Sequence, residues 1–244
     1  MHGLILAGGE GSRLAAEGVA APKPLLLLQG QPLIVRLLET LAGLGCETVT
    51  CLVRADFEGV FQLLRGSDFG VPLDVRSCRT PSSLHTLVAG LDAVPPGAVF
   101  CSMVDTVMPF ADWRRVYRAT DEALAAGADA VLAVTPFVDD ESPLYVNRDT
   151  GGRVLGLSDQ LVVPPCVTGG AYGFGPPTRL AARDALDRGI VRMRGFLKWF
   201  IEQGARLATV SVPRIIDIDH EADLRLADAW LGSAEAQAET PGSE

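Results

Sequence analysis

The sequence predicts an α/β fold in which a largely parallel sheet is covered by helices on both faces. Three observations carry that expectation. Strand-like and helix-like segments alternate along the chain. The first apolar run, Leu4 to Ala7, empties directly into Gly8, Gly9 and Gly11, the strand-then-glycine pattern of a ligand-binding turn. Finally, 244 residues with 48% hydrophobic content can bury one large core, and no Pro/Gly/Ser-rich linker divides them.

The opening stretch, Leu4-Ile-Leu-Ala-Gly-Gly-Glu-Gly-Ser-Arg-Leu14, organises the rest. Glycines there can take up positive φ and bring backbone N–H groups close to a bound group, and such a loop can cradle phosphates. Two cations follow. Arg13 offers a planar fork for two phosphate oxygens, and Lys23 is a compact charge whose backbone is stiffened by Pro22 and Pro24. The pairing suggests a triphosphate. A Walker-type loop is excluded because no Gly-Lys-Ser/Thr occurs, and Gly9-Glu-Gly11 lacks the third glycine of the dinucleotide fingerprint.

Residues 32–44 place apolar side chains at helical spacing and run into Gly45, a helix-ending residue. Residues 48–53 read as the next strand, Asp56 is the expected cap of a helix to about Leu64, and 73–78 is a third strand. Ser82 or Ser83 is expected to cap a helix reaching Leu91. The buried-strand pattern of 99–104 delivers Asp105 at its carboxyl end, where ligands of open α/β sheets collect. A helix over 113–126 and a strand over 130–135 follow, then a hairpin over 143–157 turning at Gly151 and Gly152. Gly169 and Gly170 interrupt a strand at 168–174, which marks either a bulge or a close backbone approach. Arg192, Arg194 and Lys198 lie on a stretch that reads either as a solvated helix face or as a source of positive charge for a ligand. After a strand at 206–212, Asp217 and Asp219 stand two apart and so are expected on one face of a strand. A helix runs to about Leu231, closing a domain of residues 1–231; residues 232–244 are small and polar, the composition of a disordered tail.

Composition narrows the partners. A net charge of -9 speaks against nucleic acid or an anionic membrane as a general partner. No run reaches the roughly 18 apolar residues of a membrane span, and the first residues lack the pattern of a secretory signal. Five cysteines without a CxxC pair suit a reducing compartment, so a cytoplasmic location is expected with the thiols as core or surface residues. His2, His85 and His220 are too scattered for a metal cluster, and no Gly-x-Ser-x-Gly elbow supports acyl chemistry.

Leu6-Ala-Gly-Gly-Glu-Gly-Ser-Arg-Leu14, Pro22-Lys-Pro-Leu-Leu26 and Gly30-Gln-Pro-Leu-Ile34, in this order, resemble the nucleotidyltransferases that join a nucleoside triphosphate (NTP) to a sugar 1-phosphate or similar phosphorylated acceptor. The resemblance implies a single Rossmann-like three-layer α/β/α domain with a mixed, mostly parallel sheet, of the nucleotide-diphospho-sugar transferase type. It implies that Leu6, Ala7, Gly8, Gly9, Gly11, Ser12, Ser82 and Ser83 contact the nucleotide, with Arg13 and Lys23 as the catalytic cations. By the same resemblance Asp105 is the first Mg²⁺ ligand and Asp219 the second, with Asp217 as the alternative. Gly169, Gly170, Tyr172, Arg194 and Lys198 fall in the region that borders the acceptor.

The chain departs from the sugar-nucleotide pattern at Ser158-Asp-Gln-Leu161, where many members carry Glu-Lys-Pro, so the acceptor can equally be a phospho-alcohol such as choline phosphate. The expected reaction is attack of the acceptor's phosphate oxygen on the α-phosphate of a magnesium-bound NTP, releasing pyrophosphate. A glycosyltransferase is disfavoured because Asp105-Thr-Val107 lacks a second acid, whereas a molybdopterin nucleotidyltransferase shares the first block. A non-catalytic sensing module would tolerate loss of Arg13, Lys23 or Asp105, and all are present. Base, acceptor and oligomeric state are left open.

Overall fold

A computed structural model describes residues 1–233, so most of the expected 232–244 tail lies outside the described residues. The elements are β1 (His2–Ala7), α1 (Ser12–Ala16), a 3₁₀ turn (Lys23–Leu25), β2 (Leu27–Leu28), β3 (Gln31–Pro32), α2 (Leu33–Gly43), β4 (Val49–Arg54), α3 (Glu58–Arg65), β5 (Leu73–Cys78) and α4 (Ser83–Ala93). There follow β6 (Val99–Met103), β7 (Thr106–Val107), α5 (Phe110–Ala125), β8 (Ala130–Thr135), β9 (Tyr145–Arg148), β10 (Val154–Ser158), β11 (Val167–Phe174), α6 (Pro177–Asp187), α7 (Met193–Glu202), β12 (Leu207–Ser211), β13 (Ile216–Asp217) and α8 (Glu221–Leu231).

Among the described residues, nine strands form one mixed sheet in the order β10-β9-β11-β6-β1-β4-β5, with β8 pairing β11 and β12. The β6-β1-β4-β5 half is parallel, so Ala7, Met103 and Arg54 all reach the same carboxyl edge. β11 runs antiparallel to β6 and β8 and joins this half to the hairpin β9–β10.

Strand alternation sorts the core into two layers. Leu4 and Leu6 of β1 point to one face and pack with Leu84, Leu87, Phe174 and Phe196 under α4, α6 and α7. Ile5 and Ala7 point to the other and pack with Ile34, Leu38, Phe100 and Trp113 under α2 and α5. A third cluster, including Leu14, Leu28, Leu33, Val107, Ile218 and Ala227, seats α8 and the two-residue strands beside the carboxyl edge.

Several expectations are corrected. The five cysteines take the core alternative of the expectation, all being buried. Asp56 does not cap α3: Phe57 holds that position, and the Asp56 carboxylate pairs with Arg54 at 2.7 Å. Ser82 is the N-cap residue of α4 but makes no side-chain cap bond, because its hydroxyl donates to the Val191 carbonyl instead. Residues 177–187 form a helix that the sequence reading left unassigned.

Candidate active site

The first loop places its glycines for different reasons. Of Gly8, Gly9 and Gly11, only Gly11 has positive φ, at 65°, in the left-handed conformation that starts α1. Gly8 is required by space, since a Cβ there would meet Cys78 Sγ at 3.0 Å and Thr86 Cγ2 at 3.1 Å. Gly9 is open on all sides.

Turning out of this loop, α1 and the 3₁₀ turn bring Arg13 and Lys23 to the carboxyl end of β6. Lys23 Nζ donates to Asp105 Oδ2 at 2.6 Å and to Asp219 Oδ1 at 2.7 Å, while Arg13 Nη1 donates to Asp219 Oδ2 at 2.6 Å. Four residues separated by up to 206 positions thus meet in one charge cluster. Burial works against the charge on Lys23, but the carboxylates of Asp105 and Asp219 outweigh it and hold the ammonium pKa above its ordinary value.

Asp219 is held from behind. Asp223 Oδ2 accepts from the Asp219 N–H at 2.9 Å and the His220 N–H at 2.7 Å, forming a capping box at the start of α8. Glu17, the C-cap residue of α1, accepts the Glu221 N–H at 2.8 Å and pairs with His220 Nδ1 at 2.6 Å, which raises the imidazole pKa chiefly through that hydrogen bond. One short helix therefore orients both Arg13 and its carboxylate partner.

Asp217 and Asp219 do not act as one strand face. β13 ends at Asp217, whose Oδ1 accepts from Thr106 Oγ1 at 2.8 Å, whereas Asp219 lies beyond the strand and turns to Lys23 and Arg13. Burial, followed by the nearby charge of Asp105, pushes the Asp217 carboxyl up to about 7. Asp105 and Asp219 are two hard oxygen donors converging on one ammonium, and no cluster of three or more His, Cys, Asp or Glu suited to a metal occurs among the described residues. That donor set fits Mg²⁺, which keeps waters and takes one or two carboxylates alongside substrate phosphates, better than an ion needing an all-protein cage.

A narrow cavity of about 50 Å³ is lined by Arg13 and Asp219 of the cluster, and of two wider cavities the larger shares Thr168, Gly169 and Asp217 with it. One of about 310 Å³ is lined by Leu6, Gly8, Gly9, Arg54, Ser82 and Ser83, among others. A second, of about 430 Å³, is lined by residues including Ser82, Ser83, Gly169, Tyr172, Arg192 and Arg194. Pro81, Ser82 and Ser83 border both.

Other expected residues fall elsewhere. Ala7 is buried within β1, and Gly11 and Ser12 line neither cavity. Gly170 is absent from the wall of the 430 Å³ cavity: a Cβ there would collide with Thr106 Oγ1 and come within 3.1 Å of Asp217 Oδ1, so this glycine admits the β7–β13 ribbon against β11. Gly169 meets the same constraint, with Ile215 at 2.6 Å from an added Cβ, although it also lines the cavity. Lys198 is outside the wall and its ammonium pairs with Asp159 at 2.5 Å; Arg194 lines it while also pairing with Asp159, at 3.2 Å. The sequence reading missed Arg54, which pairs with Glu10 at 2.9 Å at the first cavity, and Thr106; neither sits in a pattern that marks it.

A family model described as the MobA-like NTP transferase domain matches residues 3–162, which include the glycine loop, Lys23 and Asp105. The chain belongs to this nucleotidyltransferase family. It is similar to a glucose-1-phosphate thymidylyltransferase of Actinoplanes sp., 25% identical over 217 residues that cover 86% of this chain and 70% of the relative. Its fold is shared by a Bacillus anthracis structure assigned as a glucose-1-phosphate thymidylyltransferase, with a TM-score of 0.81 at 18% identity over 100% of this chain and 98% of the other. The inositol-1-phosphate CTP transferase from T. maritima superposes with a TM-score of 0.76 at 15% identity, covering 95% of this chain and 96% of the other. The chain is accordingly an enzyme of the nucleotidyl-transferring class, built as a single Rossmann-like α/β domain.

Proposed function

We propose that this enzyme transfers a nucleoside monophosphate from an NTP to a sugar 1-phosphate or similar phosphorylated acceptor and releases pyrophosphate. The observation that carries this reading is the Lys23 ammonium held at 2.6 and 2.7 Å by Asp105 and Asp219, of which Asp219 lines a narrow cavity that shares Thr168, Gly169 and Asp217 with the 430 Å³ one. The names of the similar proteins, two of them acting on glucose 1-phosphate and one on inositol 1-phosphate, support a phosphorylated polyol as acceptor.

In this reading the nucleotide occupies the 310 Å³ cavity and the acceptor the 430 Å³ cavity. An acceptor phosphate oxygen forms a bond to the α-phosphorus, the bond from that phosphorus to the bridging oxygen breaks, and the electron pair leaves with pyrophosphate. The nucleophile is already an anion and needs no general base, so catalysis rests on positioning and charge. Lys23 and Arg13 are the cations that face the developing charge on the α-phosphate, beside Asp105 and Asp219. Those two carboxylates would hold Mg²⁺, which supplies neutralisation of the triphosphate charge. The buried thiols and net charge of -9 suit a cytoplasmic enzyme whose phosphate binding is local.

The test is a matrix of the four NTPs and dTTP against sugar 1-phosphates, inositol 1-phosphate and choline phosphate, scored by pyrophosphate release. Acceptor-dependent pyrophosphate is expected in at least one cell. Inorganic phosphate from NTP alone would point to a hydrolase, and silence across the panel would favour a sensing role.

A further inference from the structure

We infer that Glu17, with His220 as its partner, is a positioning residue that sets the Arg13 guanidinium against Asp219 before substrate arrives. The inference rests on the nucleotidyl-transfer reading for the role of Arg13 and deepens it by naming what holds that cation in place.

α1 is five residues long, less than two turns, and too short to hold itself in place. It lies between Gly11 at φ 65° and Gly18 at φ 90°, two left-handed positions about which the helix can swing as a unit. Its seat is therefore set by what its side chains grip. Leu14 is buried in the third cluster with Ile218 and Ala227, which fixes the depth of the helix but not its rotation. Arg13 reaches Asp219, yet with side chains 46% and 35% exposed such a pair shifts an equilibrium by no more than about fivefold. One apolar contact and one exposed ion pair do not hold a guanidinium to the tolerance that charge stabilisation demands.

Glu17 supplies the second grip. It stands four residues after Arg13 as the C-cap of α1, with its own N–H donating to the Arg13 carbonyl at 3.1 Å. Both of its carboxylate oxygens reach the turn that follows Asp219: Oε2 accepts the Glu221 N–H at 2.8 Å, and Oε1 lies 2.6 Å from His220 Nδ1. The other ring nitrogen, Nε2, is buried without a hydrogen bond among the described residues and lies 3.6 Å from Glu141 Oε1, so the imidazole is wedged between two carboxylates. Asp223 holds the same turn from within α8, through the N–H groups of Asp219 and His220. α1 and this turn are thus joined at two points one helical turn apart, and two points define an orientation where one does not. Glu17 lines neither the narrow cavity nor the two wider ones, so it acts through Arg13 and not on substrate.

Two measurements test this, one of them independent of turnover: steady-state kinetics with the substrate pair that the matrix identifies, and calorimetric titration of inorganic tripolyphosphate with MgCl₂ present. Glu17→Ala is expected to lower kcat by about ten- to a hundred-fold, the cost of misplacing a charge-stabilising group, while the KM of the acceptor moves less than about twofold. Tripolyphosphate affinity should fall several-fold. In Arg13→Ala, which removes the group being positioned, adding Glu17→Ala should change either readout by less than about twofold. Glu17→Gln keeps an acceptor for the Glu221 N–H and should recover part of the loss, and His220→Ala, which leaves that bond intact, should cost less than Glu17→Ala. Asp184→Ala, which removes an equal charge from α6 where it pairs with Arg188 at 3.1 Å, should leave both readouts unchanged. Wild-type turnover in Glu17→Ala, with or without a lower Tm, makes Glu17 a structural residue and overturns the assignment. The same fractional loss with and without Arg13 overturns it too, as does wild-type tripolyphosphate binding that is absent or indifferent to Arg13. Failure of the nucleotidyl-transfer reading looks different: the Arg13-coupled loss of tripolyphosphate affinity persists while no acceptor yields pyrophosphate.

Discussion

Replacing Lys23 by Met keeps most of the side chain's volume but removes the charge between Asp105 and Asp219. The Lys23 side chain is 11% exposed, Asp105 15% and Asp219 35%, so the cluster is largely but not wholly shielded from water. Breaking a fully buried pair by removing one partner costs about 3–5 kcal/mol, and the partial exposure of Asp219 lowers that to about 2–3 kcal/mol here. For a domain of this size each kcal/mol moves Tm by about 2–4 °C, giving a loss of about 4–12 °C. A lysine acting only in the transition state would leave Tm unmoved, so the structure adds a stability role to the catalytic one. Most of the loss comes from two carboxylates left facing each other, so a divalent cation should restore part of it in the variant. Scanning calorimetry with and without MgCl₂ measures both effects, and pyrophosphate release measures the accompanying fall in kcat, about 10²–10³-fold for a lost charge-stabilising donor. A variant melting within about 1 °C of wild type in metal-free buffer would refute the clamp.

The remaining expectations are shorter. Gly170→Ala should destabilise the protein by about 1–3 kcal/mol and reduce turnover, because the added methyl collides with Thr106 Oγ1 and reaches Asp217 Oδ1; urea titration and a steady-state assay check this. Asp217, with its folded pKa pushed up to about 7 against an ordinary 3.8, retains a proton in the folded state that the unfolded chain has lost, so metal-free stability should fall as pH rises between those values. Asp217→Asn should flatten that profile, measured by urea midpoints at several pH values; an unchanged slope would show that Asp217 is not responsible. Asp105→Asn and Asp219→Asn should each lose magnesium-dependent turnover, whereas Asp217→Asn should keep it because that carboxylate is turned to Thr106; loss confined to Asp217→Asn would move the ligand by two residues.

Where burial and periodicity agreed, the sequence was legible to the residue. The strands over 73–78 and 130–135 match β5 and β8 end for end, and the helix ending at Leu231 matches α8. α6 was not legible because its buried positions are Thr178, Ala182 and Ala185 while Leu180 is 71% exposed, so no apolar stripe announces it. At the site, the strand-end position of Asp105 and the proline-flanked Lys23 could be read locally. The pairing of Lys23 with Asp105 and with Asp219 spans 82 and 196 positions and could not. Gly170 was legible as a close approach, but the approaching group proved to be the chain's own Thr106. Arg192 and Lys198 looked equivalent as cations on one helix, and only the position of Asp159 on the neighbouring hairpin distinguishes them.

The identity of the transferred group tests the central claim most directly. With dTTP labelled at the α-phosphorus, magnesium and glucose 1-phosphate (or whichever pair gives signal in the substrate matrix), the label should move quantitatively into a nucleotide-linked acceptor diphosphate, while unlabelled pyrophosphate appears in equal amount. Label recovered as free nucleoside monophosphate, or a γ-label transferred to the acceptor in place of the α-label, would contradict the account.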